Sequence, residues 1–329
     1  MEPSLTRRDV LRAAAAAGAV SLSPFTHAQS TWPSKPVMMV VPFPAGGGTD
    51  AFARPLAAQF AKQTGKQLVI DNKGGAGGTV GASVASRAAA DGYSLFMGAV
   101  HHAIAPSVYP KLDYDIEKDF VPLMLLANVP QVVVVNPKRV QATSIKELIV
   151  LAKRSPGQLN YGSAGAGTSH HLAGELFKLQ TGTFITHIPY RGAGPALADL
   201  ISGNVDLMFD GLGSSAQYIK SGRIKALMVA GSKRNPAFPD VPCAAEVGLP
   251  DYTVTTWYGL WAPRRTPAEV QPQIIDEMKK VLASDDIKNI WAQNGSEIPT
   301  ITGAAYGSFV NSEIKRWATV VKASGAKIE

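Results

Sequence analysis

The chain has 329 residues, a formal net charge of +7 and 46% hydrophobic residues. Its Lys and Arg are scattered without interleaved aromatics, which excludes a nucleic-acid-binding face and leaves a diffuse positive field suited to small anions. The single cysteine, Cys243, excludes an internal disulfide and reads as a small buried hydrophobe.

The chain opens on a processing signal. Arg7-Arg8, a weakly apolar run from Ala13 to Phe25, and Thr26-His27-Ala28 before Gln29 follow the order of a bacterial export signal. The arginine pair and an Ala/Gly-rich core favour the twin-arginine route, with residues 1–28 cleaved near Ala28. The run is well short of the ~20 apolar residues that span a bilayer, and no later segment is long and apolar enough to span one. Without residues 1–28, which hold three Arg, one Glu and one Asp, the mature charge is +6. About 300 mature residues imply two domains. Low-complexity linkers are missing, so strands rather than a flexible tether are expected to join them.

Strand and helix alternate almost throughout. Val37–Val41 is a continuous apolar run, as a buried parallel strand should be. A glycine loop leads to a helix from about Asp50 to Thr64, with Phe52, Leu56 and Phe60 as its buried stripe, Gly65 as its stop and a kink expected at Pro55. Gln67–Asp71 reads as a strand. Gly74-Gly75-Ala76-Gly77-Gly78 then opens a helix ending near Asp91-Gly92, and Tyr93–Ala99 is the third strand. Leu123–Leu126 and Gln131–Val135 are two further apolar runs, and Ser144-x-x-Glu147 is a capping box.

A second set follows: strand Leu159–Gly162, loop Ser163–Gly167, and a helix carrying Leu172, Leu176 and Leu179. Phe184–Tyr190 is a strand, and Gly194-Pro195 starts a helix with proline at its first position. Val205–Asp210 is a strand, a short helix runs through Tyr218, and Ile224–Ala230 is a strand again. Thr266-Pro267-Ala268-Glu269 reads as a second capping box, and two further helices finish the chain. Repeated βαβ crossovers of this kind predict an α/β fold of mainly parallel sheets with helices on both faces.

The chemistry gathers at two loops. Pro42-Phe43-Pro44-Ala45-Gly46-Gly47-Gly48-Thr49-Asp50 presents bare N–H groups at a helix start, which suits an anion through orphan donors and the positive dipole end. Tyr161-Gly162-Ser163-Ala164-Gly165-Ala166-Gly167-Thr168-Ser169 offers the same donors and adds three hydroxyls. Either loop taken alone is equally a tight βα turn. Together, at the carboxyl ends of strands in two lobes, they would face each other across a cleft.

Enzyme motifs miss. A phosphate loop lacks its lysine, the third glycine of G-x-G-x-x-G falls one place late at Gly81, and Tyr161 replaces the first glycine of a nucleophile elbow around Ser163. The histidine pairs His101-His102 and His170-His171 lack the carboxylates or thiolates of a zinc site. One cleft-facing and one packed ring per pair is the simpler reading.

The chain resembles the Bug-type receptors of tripartite tricarboxylate transporters. The resemblance begins at Val40–Asp50 and continues through Asn72-Lys73-Gly74-Gly75-Ala76-Gly77-Gly78, Asp91–Leu95, His102-Ala103-Ile104 and Tyr161–Leu172. Pro189–Leu197, Asp206–Asp210, Phe238–Pro242 and Thr266-Pro267 complete it in order, covering nearly the whole mature chain. It implies a two-lobed, type II-like periplasmic binding protein, each lobe a mainly parallel sheet flanked by helices, closing on a small carboxylate held partly through ordered water. The implied ligand-binding residues are Phe43, Ala45, Gly46, Gly47, Gly48, Thr49 and Asp50, then Gly78, His101 and His102. Ser163, Ala164, Gly165, Ala166, Gly167, Thr168 and Ser169 follow, with Arg191, Gly192, Ala193 and Asp210 on the far side. Ala166, Ala105, Gly211, His101 and His170 depart from residues frequent in the family, at or beside the cleft.

Residues 29–130 with 226–329 are expected to form lobe one, and residues 131–225 lobe two. No metal, cofactor or enzymatic turnover is expected of this monomer, whose partners would be membrane permease subunits of a tripartite transporter. The alternative is a periplasmic subunit that presents its ligand to a membrane sensor kinase.

Overall fold

The computed structural model describes residues 32–326, so the expected export signal lies outside the described residues. Strand β1 (Val37–Val41) forms where five apolar residues run together, and helix α1 (Gly48–Thr64) leaves it through the first glycine loop. The helix continues unbroken through Pro55 and ends on Gly65, whose φ of 68° supplies the left-handed cap. β2 (Leu68–Asn72) follows, then a 3₁₀ turn (Ala76–Gly78), α2 (Thr79–Ser86) and β3 (Ser94–Ala99). α2 stops well before Asp91, in a tight turn at Arg87. β1 pairs in parallel with β2 on one side and β3 on the other.

Two elements were not read from the sequence. α3 (His101–Val108) turns off β3 at the cleft. β9 (Thr255–Pro263) is inserted between β3 and β4 (Phe120–Val135), antiparallel to both. The two apolar runs at Leu123 and Gln131 are thus one 16-residue strand. Its first part pairs with β9 as far as Pro130, and its second, from Gln131, pairs with β7 (Leu207–Gly211) and β8 (Lys225–Val229). β4 carries the chain out of the first lobe and β9 brings it back, so the two run in opposite senses. The expectation of mainly parallel sheets is corrected on this point.

In the second lobe, α4 (Ile145–Arg154) starts on Ser144, whose side chain accepts the Glu147 N–H. β5 (Asn160–Ser163) pairs in parallel with β6 (Thr186–Pro189) and β7. Between them lie α5 (Ser169–Thr181), α6 (Ala193–Ser202) and, after β7, α7 (Leu212–Lys220). Leu172 is buried but Leu179 is 58% exposed, so the stripe of α5 turns through Phe177 instead. Pro195 is the third residue of α6 rather than the first, still within the turn whose N–H groups lack helical acceptors. β8 belongs to the second sheet, and the lobe boundary expected at residue 226 runs through this strand.

Three helices close the chain: α8 (Gln271–Ala283), α9 (Asp285–Gln293) and α10 (Gly303–Ser324). The expected capping box at Thr266–Glu269 is a turn, Val270 N–H to Pro267 O, and α8 begins beyond it with a proline in its first turn. Side chains alternate across the sheet into two core layers: Val37, Met39 and Val41 enter one, Val40 the other. Buried Glu313 of α10 accepts the indole N–H of Trp257 (2.8 Å) and Trp317 (3.2 Å), and α10 packs against α3.

Candidate functional site

The first glycine loop is locked from within. Asp50, 4% exposed, accepts Gly46 N–H (3.0 Å) and Arg54 Nε–H (2.7 Å) on Oδ2, and Asn72 Nδ2–H (3.2 Å) on Oδ1. The same Asn72 amide donates to Phe43 O at 2.9 Å. The Asp50 carboxylate therefore holds the loop in shape instead of facing the cleft. The N–H groups of Gly47, Gly48 and Thr49 meet no acceptor among the described residues. Ala45 and Gly46 are exposed at the loop's outer edge.

The hydroxyls of the second loop are engaged with protein groups in and around it. Ser163 Oγ accepts Gly165 N–H (3.1 Å) and lies 2.6 Å from His187 Nε2. Thr168 caps α5 by accepting His171 N–H at 3.4 Å, and its hydroxyl donates to Gly165 O at 2.7 Å. Ser169 Oγ accepts Gln131 Nε2–H at 3.1 Å. Gly167 N–H donates to His171 Nδ1 (3.2 Å), while the N–H groups of Ala164 and Ala166 remain without an acceptor among the described residues. Ser163 is fully buried, so no nucleophile is presented.

The lobes meet along these loops. Ser169 N–H donates across the cleft to His101 Nδ1 (3.0 Å), and Tyr109 O–H donates to Ala166 O (3.2 Å). A Cβ on Gly47 would stand 3.5 Å from Gly194 N and 3.7 Å from Ala193 N, so the starts of α1 and α6 oppose each other. Phe43, Ala164 and Ala193 close an apolar contact between the lobes. Enclosed here is a small cavity lined by Phe43, Gly47, Gly48 and Thr49 from the first loop, His101 and Tyr258 beside them, and Ala164, His170 and Ala193 opposite. Larger grooves of about 450 and 520 Å³ lie on other faces, at Leu282 and at Pro122, and no glycine-loop residue lines them.

In each histidine pair one ring lines the cavity and its neighbour packs behind. His101 is 4% exposed, and burial first, then the nearby rings of His170 and His102, hold its pKa well below 6.5. The ring is thus neutral, and because Nδ1 accepts the Ser169 N–H, Nε2 carries its proton. His102 is tied to Ala99 through Nδ1 (3.0 Å) and to Gly78 O through Nε2 (3.3 Å), with its pKa lowered by burial to about 4. It supports Gly78 from behind, and a Cβ on Gly78 would meet the Phe43 ring at 2.9 Å. His170 is lowered by burial against the opposing pull of Asp210. His171 stacks on His187 at 4.1 Å beneath the second loop.

Arg191 is exposed and Gly192 caps α6, whereas Asp210 is fully buried at the end of β7. Gly165 and Gly167 hold the left-handed turns of the second loop, with φ of 128° and 73°. Tyr258 was missed with its strand β9; its hydroxyl occupies the place a Gly48 side chain would take. Among the described residues no three His, Cys, Asp or Glu side chains gather as a metal-ligand set. The assembled chemistry is that of a closed anion receptacle, with amides from the starts of α1 and α6, the Ala164 amide and a neutral imidazole donor around one cavity.

The family model for the tripartite tricarboxylate transporter family receptor matches residues 52–326. Protein BugT of Bordetella pertussis is 35% identical over 301 residues, covering 91% of this chain and 92% of its own. Among solved structures, R. palustris Rpa4515 with adipate superposes with a TM-score of 0.87 at 37% identity, covering 90% of this chain and all (100%) of its own. MatC (Rpa3494) from Rhodopseudomonas palustris with bound malate gives a TM-score of 0.83 at 34% identity, covering 88% of this chain and 100% of its own.

Proposed function

The chain belongs to the tripartite tricarboxylate transporter receptor family, and from that premise we propose that it captures a small carboxylate between its lobes and delivers it to a transporter. One observation carries the reading: the N–H groups of Gly47, Gly48 and Thr49 in the first lobe and Ala164 and Ala193 in the second lack acceptors among the described residues. They converge on one cavity. Buried donors of this kind are costly unless an acceptor meets them, and a carboxylate supplies several charge-assisted bonds at once. His101 Nε2–H adds a neutral donor. That relatives of this chain were solved with adipate and with malate supports the ligand class.

The finer parts of the proposal follow from the sequence. Residues 1–28 export the chain and are removed near Ala28, so the receptor works in the periplasm. No described helix is long and apolar enough to cross a membrane, in keeping with a separate membrane permease as its partner. The receptor acts as a monomer, without metal or cofactor, and releases its ligand unchanged. The first lobe takes residues up to 130 together with those from 255 onward, and the second takes 131–254, with β4 and β9 as the crossing strands.

A thermal-shift screen of organic acids tests the central claim, because a ligand that binds only the folded state raises the melting temperature. At least one small carboxylate should give a saturable shift that persists after dialysis against a chelator. If carboxylates of varied length and substitution all leave the melting temperature unchanged, the reading fails.

A further inference from the structure

The cavity is unlike on its two sides. At the glycine loops it presents donors. Opposite them His170 forms part of the wall, and behind it stands Asp210, 0% exposed, whose Oδ2 accepts Ser214 Oγ–H (2.8 Å) and Ser215 Oγ–H (2.5 Å). Among the described residues its Oδ1 has no hydrogen-bond partner, although it is sealed from solvent. His170 Nε2 lies 3.6 Å from it, beyond hydrogen-bond reach. His170 is 4% exposed and lines the cavity, and its Nδ1 is also without a partner among the described residues. With the Nε2 proton turned toward Asp210, Nδ1 is left as a second acceptor.

Buried acceptors without partners need a donor. A plain aliphatic diacid brings only acceptors to both ends, and its second carboxylate would set like charge against Asp210. Resting on the carboxylate-receptor reading above, we propose that the ligand is a carboxylate bearing an O–H or N–H donor. Its carboxylate lies on the glycine-loop amides and its hydroxyl or ammonium on Asp210 Oδ1. Asp210, with His170 beside it, is thereby the determinant of specificity.

Titration calorimetry of the purified protein with matched acids decides this. Succinate, malate and aspartate form one series; adipate, 2-hydroxyadipate and 2-aminoadipate form a longer one. In the series that fits the cleft, the hydroxy or amino acid should bind about ten-fold tighter than its plain parent or better, since a site built for a donor rejects the analogue lacking it. Which of the two is tighter tells hydroxyl from ammonium. Asp210→Asn keeps an oxygen for Ser214 and Ser215 but puts an N–H in place of Oδ1. It should bring the parent and substituted acids to within about two-fold of each other. A plain diacid that binds the unaltered protein as tightly as both its substituted partners overturns the proposal while leaving the carboxylate reading intact. If no acid in either series binds, both readings fall. Should Asp210→Asn not fold, as a melting curve would show, the comparison of matched acids on the unaltered protein still decides.

Discussion

Replacing Gly47 with valine should weaken carboxylate binding without weakening the fold. Gly47 sits at φ −90° and ψ 178°, extended backbone that valine adopts freely, and it caps α1 without using a side chain. The lobe that carries it is therefore unstrained by the change. Across the closed cleft, however, its Cβ would lie 3.5 Å from Gly194 N and 3.8 Å from Ala193 Cβ. A single methyl fits there at ordinary contact distance, but the two γ-carbons of valine extend beyond it into the start of α6 and the cavity. Overpacking of this kind costs about 1–3 kcal/mol, and here the whole cost falls on the closed state. Affinity should drop about 5- to 150-fold, at about 1.4 kcal/mol per decade. Gly47→Ala, by contrast, should stay within about three-fold of the unaltered protein, because its added carbon meets nothing closer than van der Waals contact. Calorimetric titration would give the affinities, and the melting temperature without ligand would report on the lobe. If alanine is as harmful as valine, or if valine lowers the unliganded melting temperature in step with the lost affinity, the opposed-loop account of closure is wrong.

Other expectations follow from the same contacts. His101→Ala leaves the buried Ser169 N–H without its acceptor in the closed state, so binding should weaken by about 1–3 kcal/mol in a titration while Ser169→Ala, which keeps the N–H, changes little. Asp50→Ala frees the first loop and should lower the urea midpoint by about 1–3 kcal/mol of stability, whereas Arg54→Ala, whose side chain is 56% exposed, should cost under about 1 kcal/mol. His102 has a folded-state pKa of about 4, below the ordinary 6.5, so folding favours its neutral form. Its contribution is complete above about pH 6.5 and is lost as pH falls toward 4, with a slope of up to about 1.4 kcal/mol per pH unit. Buried His101, lowered in the same direction, steepens this loss, and a denaturation midpoint that stayed constant from pH 7 to 5 would contradict it.

The parts of the fold that the sequence revealed are those with local causes. β1 is a pure apolar run and α1 ends on a glycine in the left-handed region, so neither needs the rest of the chain to be recognised. β9 was invisible for the opposite reason. It is buried almost throughout, carries Gly259 in its interior, and that glycine is there because the Tyr306 hydroxyl fills the place of a side chain. A strand interrupted by glycine for a distant residue's sake gives no periodic signal. α3 was hidden likewise: eight residues with Pro106 inside and no capping side chain form a helix because α10 packs on it. The site inherits both gaps. Tyr258 went unread with β9, and which histidine of a pair faces the cavity depends on the orientation of a helix that local signals do not announce. The Asp50, Ser163, Thr168 and Ser169 side chains, legible as polar groups of the two loops, already have protein partners in the fold. Residue type shows that a group can bond, and only the packed loop shows that it already has.

Recognition and closure are one event in this geometry. The cross-cleft bonds, Ser169 to His101 and Tyr109 to Ala166, form only when the lobes meet, and they bring the amide-lined starts of α1 and α6 together around a small cavity. Bringing several unpaired N–H groups of like polarity together and out of water is unfavourable by itself. The two cross-cleft hydrogen bonds, each worth about 0.5–1.5 kcal/mol net, roughly offset that cost and no more. The empty protein is therefore poised near balance between open and closed. An anion that touches both loops adds charge-assisted bonds of about 1.5–3 kcal/mol each, which exist only in the closed arrangement. A ligand shifts such an equilibrium by its differential affinity alone, and two such bonds, about 3–6 kcal/mol, carry it through two to four decades. An acid that reached only one loop would bind without closing the cleft, and a partner that reads the closed shape would not respond to it.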